Sequence, residues 1–237
     1  MPFTLAHPAA VLPLRGRLWL PALIAGSLAP DAGYYAPIGI DGALTHEARG
    51  LPLTLALGAV LLVLGRILCL PVPALLGRAV AFPAGPGWWR VVAALIVGAA
   101  THLAWDTFTH TDGAAVRHWE PLRESVIGPH RVYNVIGYLS SLAGLIILVW
   151  FAARRIRRAR PAPVARHRGW VLSGLALAAV AGGIAGATDP ASAASHYDLV
   201  RCVLIGAVRA GGAAFLGYAV IVSGRAELAA RRAVAAS

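Results

Sequence analysis

Five stretches of this chain, 51–70, 90–108, 132–151, 170–187 and 199–222, are so apolar that each reads as a helix crossing a lipid bilayer. Crossing the hydrocarbon core takes about 20 residues, and a helix satisfies every backbone N–H and C=O within its own segment. The composition agrees, with 58% hydrophobic and 13% charged residues and a mean hydropathy of +0.69, whereas about a quarter of a soluble domain is charged. The expected fold is all-α, a polytopic membrane bundle of about five or six helices forming one integral membrane domain over 1–237.

Ahead of these spans, residues 3–14 are apolar but too short to cross, and Pro13, Arg15, Gly16 and Arg17 interrupt the pattern before 18–29 resumes it. This predicts a short N-terminal apolar helix or re-entrant hairpin. No basic residue precedes it, and the small-residue site at Ser27-Leu28-Ala29 runs into Pro30, so it is expected to be retained rather than cleaved.

The net charge of +11 is carried by 21 basic residues, all arginine. Seven of them (Arg154, Arg155, Arg157, Arg158, Arg160, Arg166 and Arg168) fall between two apolar runs, which marks 153–169 as a cytoplasmic loop. No soluble basic domain is present, so no nucleic-acid partner is expected; the partner is the bilayer of the cytoplasmic membrane. Alternation from that loop puts the C-terminal tail in the cytoplasm and 31–50, 109–131 and 188–198 on the outer face. Cys69 and Cys202 lie inside apolar runs and read as small buried residues, with no disulfide expected.

Against this background the polar residues of 101–110 stand out, because His102, Asp106 and His110 recur every four residues and share one helical stripe. Ionisable groups where a helix leaves a bilayer are costly and read by default as a functional site. Imidazole and carboxylate suit zinc, manganese or iron; the plainer alternative is a buried contact pairing His102 with Asp106. Asp31 and His46 fall on the same outer side. His7 would lie on the opposite side unless the N-terminus turns back at 13–17. Second-tier candidates for metal or substrate are His110, the outer-loop Arg117, Arg123 and Arg131, whose guanidinium groups suit an anion, and Arg209, a charge inside the last span. Glu120 and Glu124 are candidate general bases. Gly182 and Gly186, four apart, predict close helix packing.

Three stretches carry a family resemblance: Met1-Pro2-Phe3-Thr4-Leu5-Ala6-His7-Pro8-Ala9, Gly26-Ser27-Leu28-Ala29-Pro30-Asp31, and Thr101-His102-Leu103-Ala104-Trp105-Asp106-Thr107-Phe108-Thr109-His110. Over essentially its whole length the chain resembles the bacterial multispan membrane proteins of domain-of-unknown-function family 4184. More distantly, the order histidine, Pro-Asp, Thr-His, His-x-x-x-Asp is similar to inner-membrane metal-dependent hydrolases akin to zinc phospholipase C and P1 nuclease. That similarity implies ligand roles for His7, Asp31, His46, His102 and Asp106. The hydrolase pattern Pro-Asp-hydrophobic-Asp-His is reduced here to Asp31 followed by Ala32-Gly33-Tyr34, so one or two of its ligand positions are missing.

The expectation is a divalent-metal-dependent hydrolase, with zinc as the first choice of ion and manganese or iron as alternatives. Its substrate would be a phosphoester or lipid at the outer membrane face. The rival is a non-enzymatic multispan protein: a structural or metal-handling module, or a small transporter whose polar path would continue across the bilayer past Arg209 and Arg66.

Overall fold

The computed structural model describes residues 3–35, 39–40 and 42–235, with side chains to residue 225. Met1 and Pro2 of the opening motif, Asp41 of the outer loop and the side chains of Arg231 and Arg232 lie outside the described residues. The architecture is helical throughout apart from one short hairpin. Five helical segments, Ala48–Cys69, Trp88–His118, Val132–Arg158, Arg168–Ala187 and His196–Arg225, are long and apolar enough to cross a membrane. Outward-facing Leu139, Ile146, Val149, Val180, Ile184 and Val220 are all more than half exposed, as lipid-facing positions require. The chain is a multi-pass membrane protein.

It divides into two compact units. The first comprises residues 1–33, 38–62 and 83–158. Its N-terminus is a 3-10 turn, Thr4–Ala6, then α1 (Pro8–Val11), then a second 3-10 turn, Leu12–Gly16, that reverses the chain into α2 (Leu20–Leu28). At nine residues α2 is about 14 Å long, too short to span, so this region is a re-entrant pair of short helices. The four-residue α3 (Ala32–Tyr35) and α4 (Gly42–Thr45) lead to α5 (Leu51–Cys69), which runs on into the second unit. After α6 (Val72–Leu76), which belongs to the second unit, comes the long α7 (Trp88–Thr109).

The core of the first unit is built where α1, α2 and α7 meet, from Val11, Ala22, Leu23, Ala25, Ala94 and Leu95. Glycine makes the approach possible. A Cβ on Gly98 would run into the Leu23 carbonyl and the Ser27 amide, so the backbones of α2 and α7 touch at that point. One turn later α7 presents His102.

Beyond α7 the segment 109–131 is structured rather than an open loop. It forms α8 (Ala114–His118), a 3-10 turn over Glu120–Arg123, and a hairpin of β1 (Ser125–Ile127) and β2 (His130–Arg131), turning at Gly128 with φ +54°. Val116, Leu122 and Tyr133 pack it onto the start of α9 (Val132–Arg158). Arg154, Arg155, Arg157 and Arg158 are still helical. Arginine is a good helix former, and cations complement the C-terminal end of the helix dipole. The non-helical part of the expected 153–169 loop is therefore only 159–167.

In the second unit α10 (Arg168–Ala187) packs along α11 (His196–Ala235). Gly182 and Gly186 lie against the carbonyls of Gly206 and Cys202, the close packing that their spacing predicts. Cys69 and Cys202 are both free thiols.

Candidate metal centre

Five side chains from four segments of the first unit converge: His7 at the head of α1, Asp31 just beyond α2, His46 after α4, and His102 and Asp106 on α7. All but His46 are almost fully buried. The N-terminal reversal is what brings His7 across, and Thr4 comes with it.

The orientation of the imidazoles decides the chemistry. His102 Nδ1 lies 2.8 Å from the Ser27 carbonyl, a last-turn carbonyl of α2 that has no partner within its helix. His46 Nδ1 is 2.7 Å from the Gly42 carbonyl, and His7 Nδ1 is 3.2 Å from that of Thr4. A carbonyl only accepts, so each neutral ring donates its Nδ1–H outward and turns an Nε2 lone pair inward. Histidines that ligate metals are held in this way.

The carboxylates are arranged to match. Thr4 Oγ1 donates to Asp31 Oδ2 at 2.5 Å, while Asp31 Oδ1 and Asp106 Oδ2 are buried without a hydrogen-bond partner among the described residues. Those two oxygens face the Nε2 atoms. His46 Nε2 stands 3.3 Å from Asp31 Oδ1, 3.5 Å from Asp106 Oδ2 and 3.3 Å from His102 Nε2. His102 Nε2 is 3.6 Å from Asp31 Oδ1 and 3.1 Å from Asp106 Oδ2. Ligand atoms placed about 2.0–2.2 Å from one ion stand about 3.3–3.6 Å apart on a tetrahedron. Five pairings among these atoms stand at 3.1–3.6 Å, and two overlapping sets, His7, Asp31 and His102, and His46, His102 and Asp106, each bring their ligand atoms within 4.8 Å of one another. Lone pairs facing lone pairs in a buried site repel unless a cation or protons lie between them, so this donor set fits a divalent ion.

His7 approaches from the far side of Asp106, with Nε2 3.4 Å from Oδ1 and its ring stacked on His102 at 3.9 Å. It is placed as a fifth donor or as a brace for Asp106. The metal-free protonation pattern shows the same strain. Burial disfavours charge on His46, yet the adjoining carboxylates of Asp106 and Asp31 and the Gly42 carbonyl push it up to about 10. Burial would raise Asp31, but His46, His102 and the Thr4 hydroxyl hold its carboxyl below the usual carboxylate range.

Two buried threonines fix the His46 loop. Thr45 Oγ1 donates to the Pro30 carbonyl at 2.7 Å, and Thr54 Oγ1 lies 3.2 Å from the Thr45 carbonyl. Neither these residues nor Thr4 is evident from ligand chemistry alone. Thr4 carries one weak signal, its position three residues before His7, one turn away on a helical path.

Residues 1–223 match the family described as Domain of unknown function (DUF4184). The chain belongs to this family. Neither a curated protein nor a solved structure matches it.

In this DUF4184 chain the second-tier candidates separate into two groups. His110, at the C-cap of α7, reaches the edge of the centre, with Nε2 3.6 Å from Asp106 Oδ2 and Nδ1 3.5 Å from Asp112 Oδ1. Arg117, Arg123 and Arg131 are exposed on the segment that follows α7. Arg123 donates to the Arg117 carbonyl at 3.0 Å and Arg131 to that of Arg123 at 3.2 Å. Glu120 and Glu124 are exposed too, and among the described residues no hydrogen bond or ion pair links either to the five clustered side chains. Arg209 belongs to the second unit, where its guanidinium donates to the Tyr34 carbonyl.

Proposed function

We propose that the five-residue cluster is a divalent metal centre, zinc by preference, and that the chain is a membrane-embedded hydrolase of phosphoesters. The observation that carries this reading is the common pose of the three histidines, each with Nδ1 tied to a backbone carbonyl and Nε2 turned toward a buried carboxylate, the oxygens that His46 and His102 face being orphaned. Three imidazoles and two carboxylates suit zinc, with manganese and iron as alternatives.

A divalent ion there supplies Lewis acidity toward the ester and a water of lowered pKa. The chain's own groups do the rest. Asp31 and Asp106 hold negative charge inside the site, and Thr4, Ser27 and Gly42 lock the ligands in place. Hydrolysis joins a water oxygen to phosphorus, breaks the ester P–O bond and returns a proton to the departing alkoxide. His110, braced by Asp112 at the half-open edge, is the side chain placed to carry that proton. Arg117, Arg123 and Arg131, on the segment that follows His110, suit the substrate's anionic oxygens.

The apolar core directly behind His102 supports a closed site over an ion pathway, since Ala22, Leu23, Ala25, Ala94 and Leu95 offer no ligand for a cation in transit. The arginine distribution supports insertion in the cytoplasmic membrane, with 153–169 and the C-terminus in the cytoplasm and the centre toward the outer face.

The test is elemental analysis of the purified protein beside turnover of bis(p-nitrophenyl) phosphate with and without chelator. The expected result is near-stoichiometric metal in wild type, none in His102→Ala, and activity that follows the metal. Full metal retention in His102→Ala defeats the centre. Metal without turnover on any phosphoester favours the metal-handling reading.

A further inference from the structure

One cavity of the first unit borders the metal centre, and the chemistry above does not use it. It has a volume of about 190 Å³ and lies between the N-terminal segment and α9, lined by His7, Ala9, Ala10, Ala143, Gly144 and Ile147. Gly144 closes its inner end, where a Cβ would stand 3.0 Å from Ala6. Ser140 and Ser141 also border it, but their hydroxyls donate to the Gly137 carbonyl at 3.1 and 2.7 Å, which leaves the wall apolar in effect.

The depth of this groove identifies the medium outside it. Residues 140–147 lie 8–15 positions beyond Val132 in a 27-residue membrane-crossing helix, or about 12–23 Å along its axis. That is hydrocarbon depth in a bilayer whose apolar core is about 30 Å thick. The rim residues Trp105 and Ile147 are 40% and 46% exposed, so the groove opens to lipid. Its inner wall is His7, whose other side faces Asp106 of the metal centre. One small space thus reaches from lipid hydrocarbon to the His7 ring at the edge of the ligand cluster. A water-soluble ester arriving past His46 and His110 would have no use for it.

We infer that this groove seats an acyl chain, and that the substrate of the centre is an amphiphile with its phosphoester at the metal ligands and its hydrocarbon beside His7. The assignment of a phosphoester to the headgroup position rests on the hydrolase reading; the seating of the chain rests on the groove. At about 30 Å³ for a group the size of a water or a methylene, the volume takes about six carbons, enough to hold the part of a chain nearest its headgroup while the remainder stays in the bilayer.

The test is photocrosslinking in vesicles of phosphatidylglycerol that carry a diazirine on one acyl chain, with the metal-loaded full-length protein and peptide mapping of the adducts. The expected result is labelling concentrated on Ala9, Ala10 and 143–147. Filling the groove with Ala143→Phe should lower that labelling about tenfold, since the new ring takes the place of several methylenes. Metal content reports whether that variant is folded, and Ala10→Phe fills the groove from the opposite wall should Ala143→Phe lose its metal. Labelling spread evenly over the lipid-facing helices, or unchanged in the filled variants, overturns the inference. Headgroup release from the same vesicles reads the other claim separately. Groove labelling without release leaves the seat standing and removes the hydrolase, and release without groove labelling does the reverse.

Discussion

Replacing Asp106 with asparagine is the sharpest probe of the centre, because it keeps the shape and removes only charge and ligand basicity. Asp106 Oδ2 lies 3.1 Å from His102 Nε2 and 3.5 Å from His46 Nε2, and Oδ1 lies 3.4 Å from His7 Nε2. It is the carboxylate within 3.5 Å of all three rings. A four-ligand zinc site of the structural kind is worth about 10–16 kcal/mol, so one ligand carries about 3–4 kcal/mol, or about 10²–10³ in affinity. At a zinc concentration about 1,000 times the wild-type Kd, bound metal stabilises the fold by about 4.1 kcal/mol. A hundredfold weaker variant keeps about 1.4 kcal/mol of that. Metal-stripped Asp106→Asn should not be severely destabilised, because its amide can donate to the His102 lone pair. The measurement is a pair of thermal melts in detergent, with and without zinc, beside metal content by mass spectrometry. Equal zinc affinity in variant and wild type would show that the inward carboxylate is not a ligand.

Three further outcomes are expected. Thr4→Val leaves Asp31 Oδ2 buried without its donor and should cost about 1–3 kcal/mol of stability, with metal affinity falling about 10–100-fold; a melt and a zinc titration within error of wild type would refute this. Gly98→Leu drives a side chain into the Leu23 carbonyl and the Ser27 amide, so it should cost about 1–3 kcal/mol by overpacking and release metal as Ser27 moves off His102 Nδ1; retained metal would mean the helix contact does not position the ring. In the metal-free protein, raised His46 contributes stability that is complete below pH 6.5 and is lost as pH climbs through about 10, whereas lowered Asp31 contributes stability present above its ordinary 3.8 and lost as pH falls through its depressed value. A melting temperature that declines from pH 6.5 to 10 without zinc is the expected record, and a flat one contradicts the pairing of His46 with the carboxylates.

The membrane bundle was legible because a bilayer demands uninterrupted apolar runs, and all five spans were visible as such. The i, i+4 pair on α7 was legible for the same reason: the run before it, 91–101, carries no charge. The structured outer segment was not, since its short helix, turn and hairpin are held by three packed residues, Val116, Leu122 and Tyr133, spread over 18 positions. The continuation of α9 through Arg158 was missed because hydropathy marks where a helix leaves the apolar layer, not where it stops. Sequence could pose the fold-back of His7 as a condition but not decide it, because the reversal depends on the packing of Val11 against α2 and α7. The tautomer-setting carbonyls of Ser27, Gly42 and Thr4 were invisible in principle. Backbone acceptors have no residue type, and only their placement makes them part of a site. Arg209 drew attention by its depth, and the structure gives it a backbone partner in its own unit.

Of the five clustered side chains, only His102 and Asp106 ride on a long helix. His7, Asp31 and His46 hang on turns, loop ends and helices of a few residues, which cannot hold themselves together alone. A cation drawn to α7 would therefore act as a clasp on the short turns that carry His7, Asp31 and His46, ordering them on a unit that the packing of α1, α2 and α7 already supports. Withdrawing it should unfasten that clasp and leave the spans in place. The protein would then exist as two states of one membrane bundle, with those ligand-bearing turns fastened to α7 or loose beside it, and metal supply setting the balance between them.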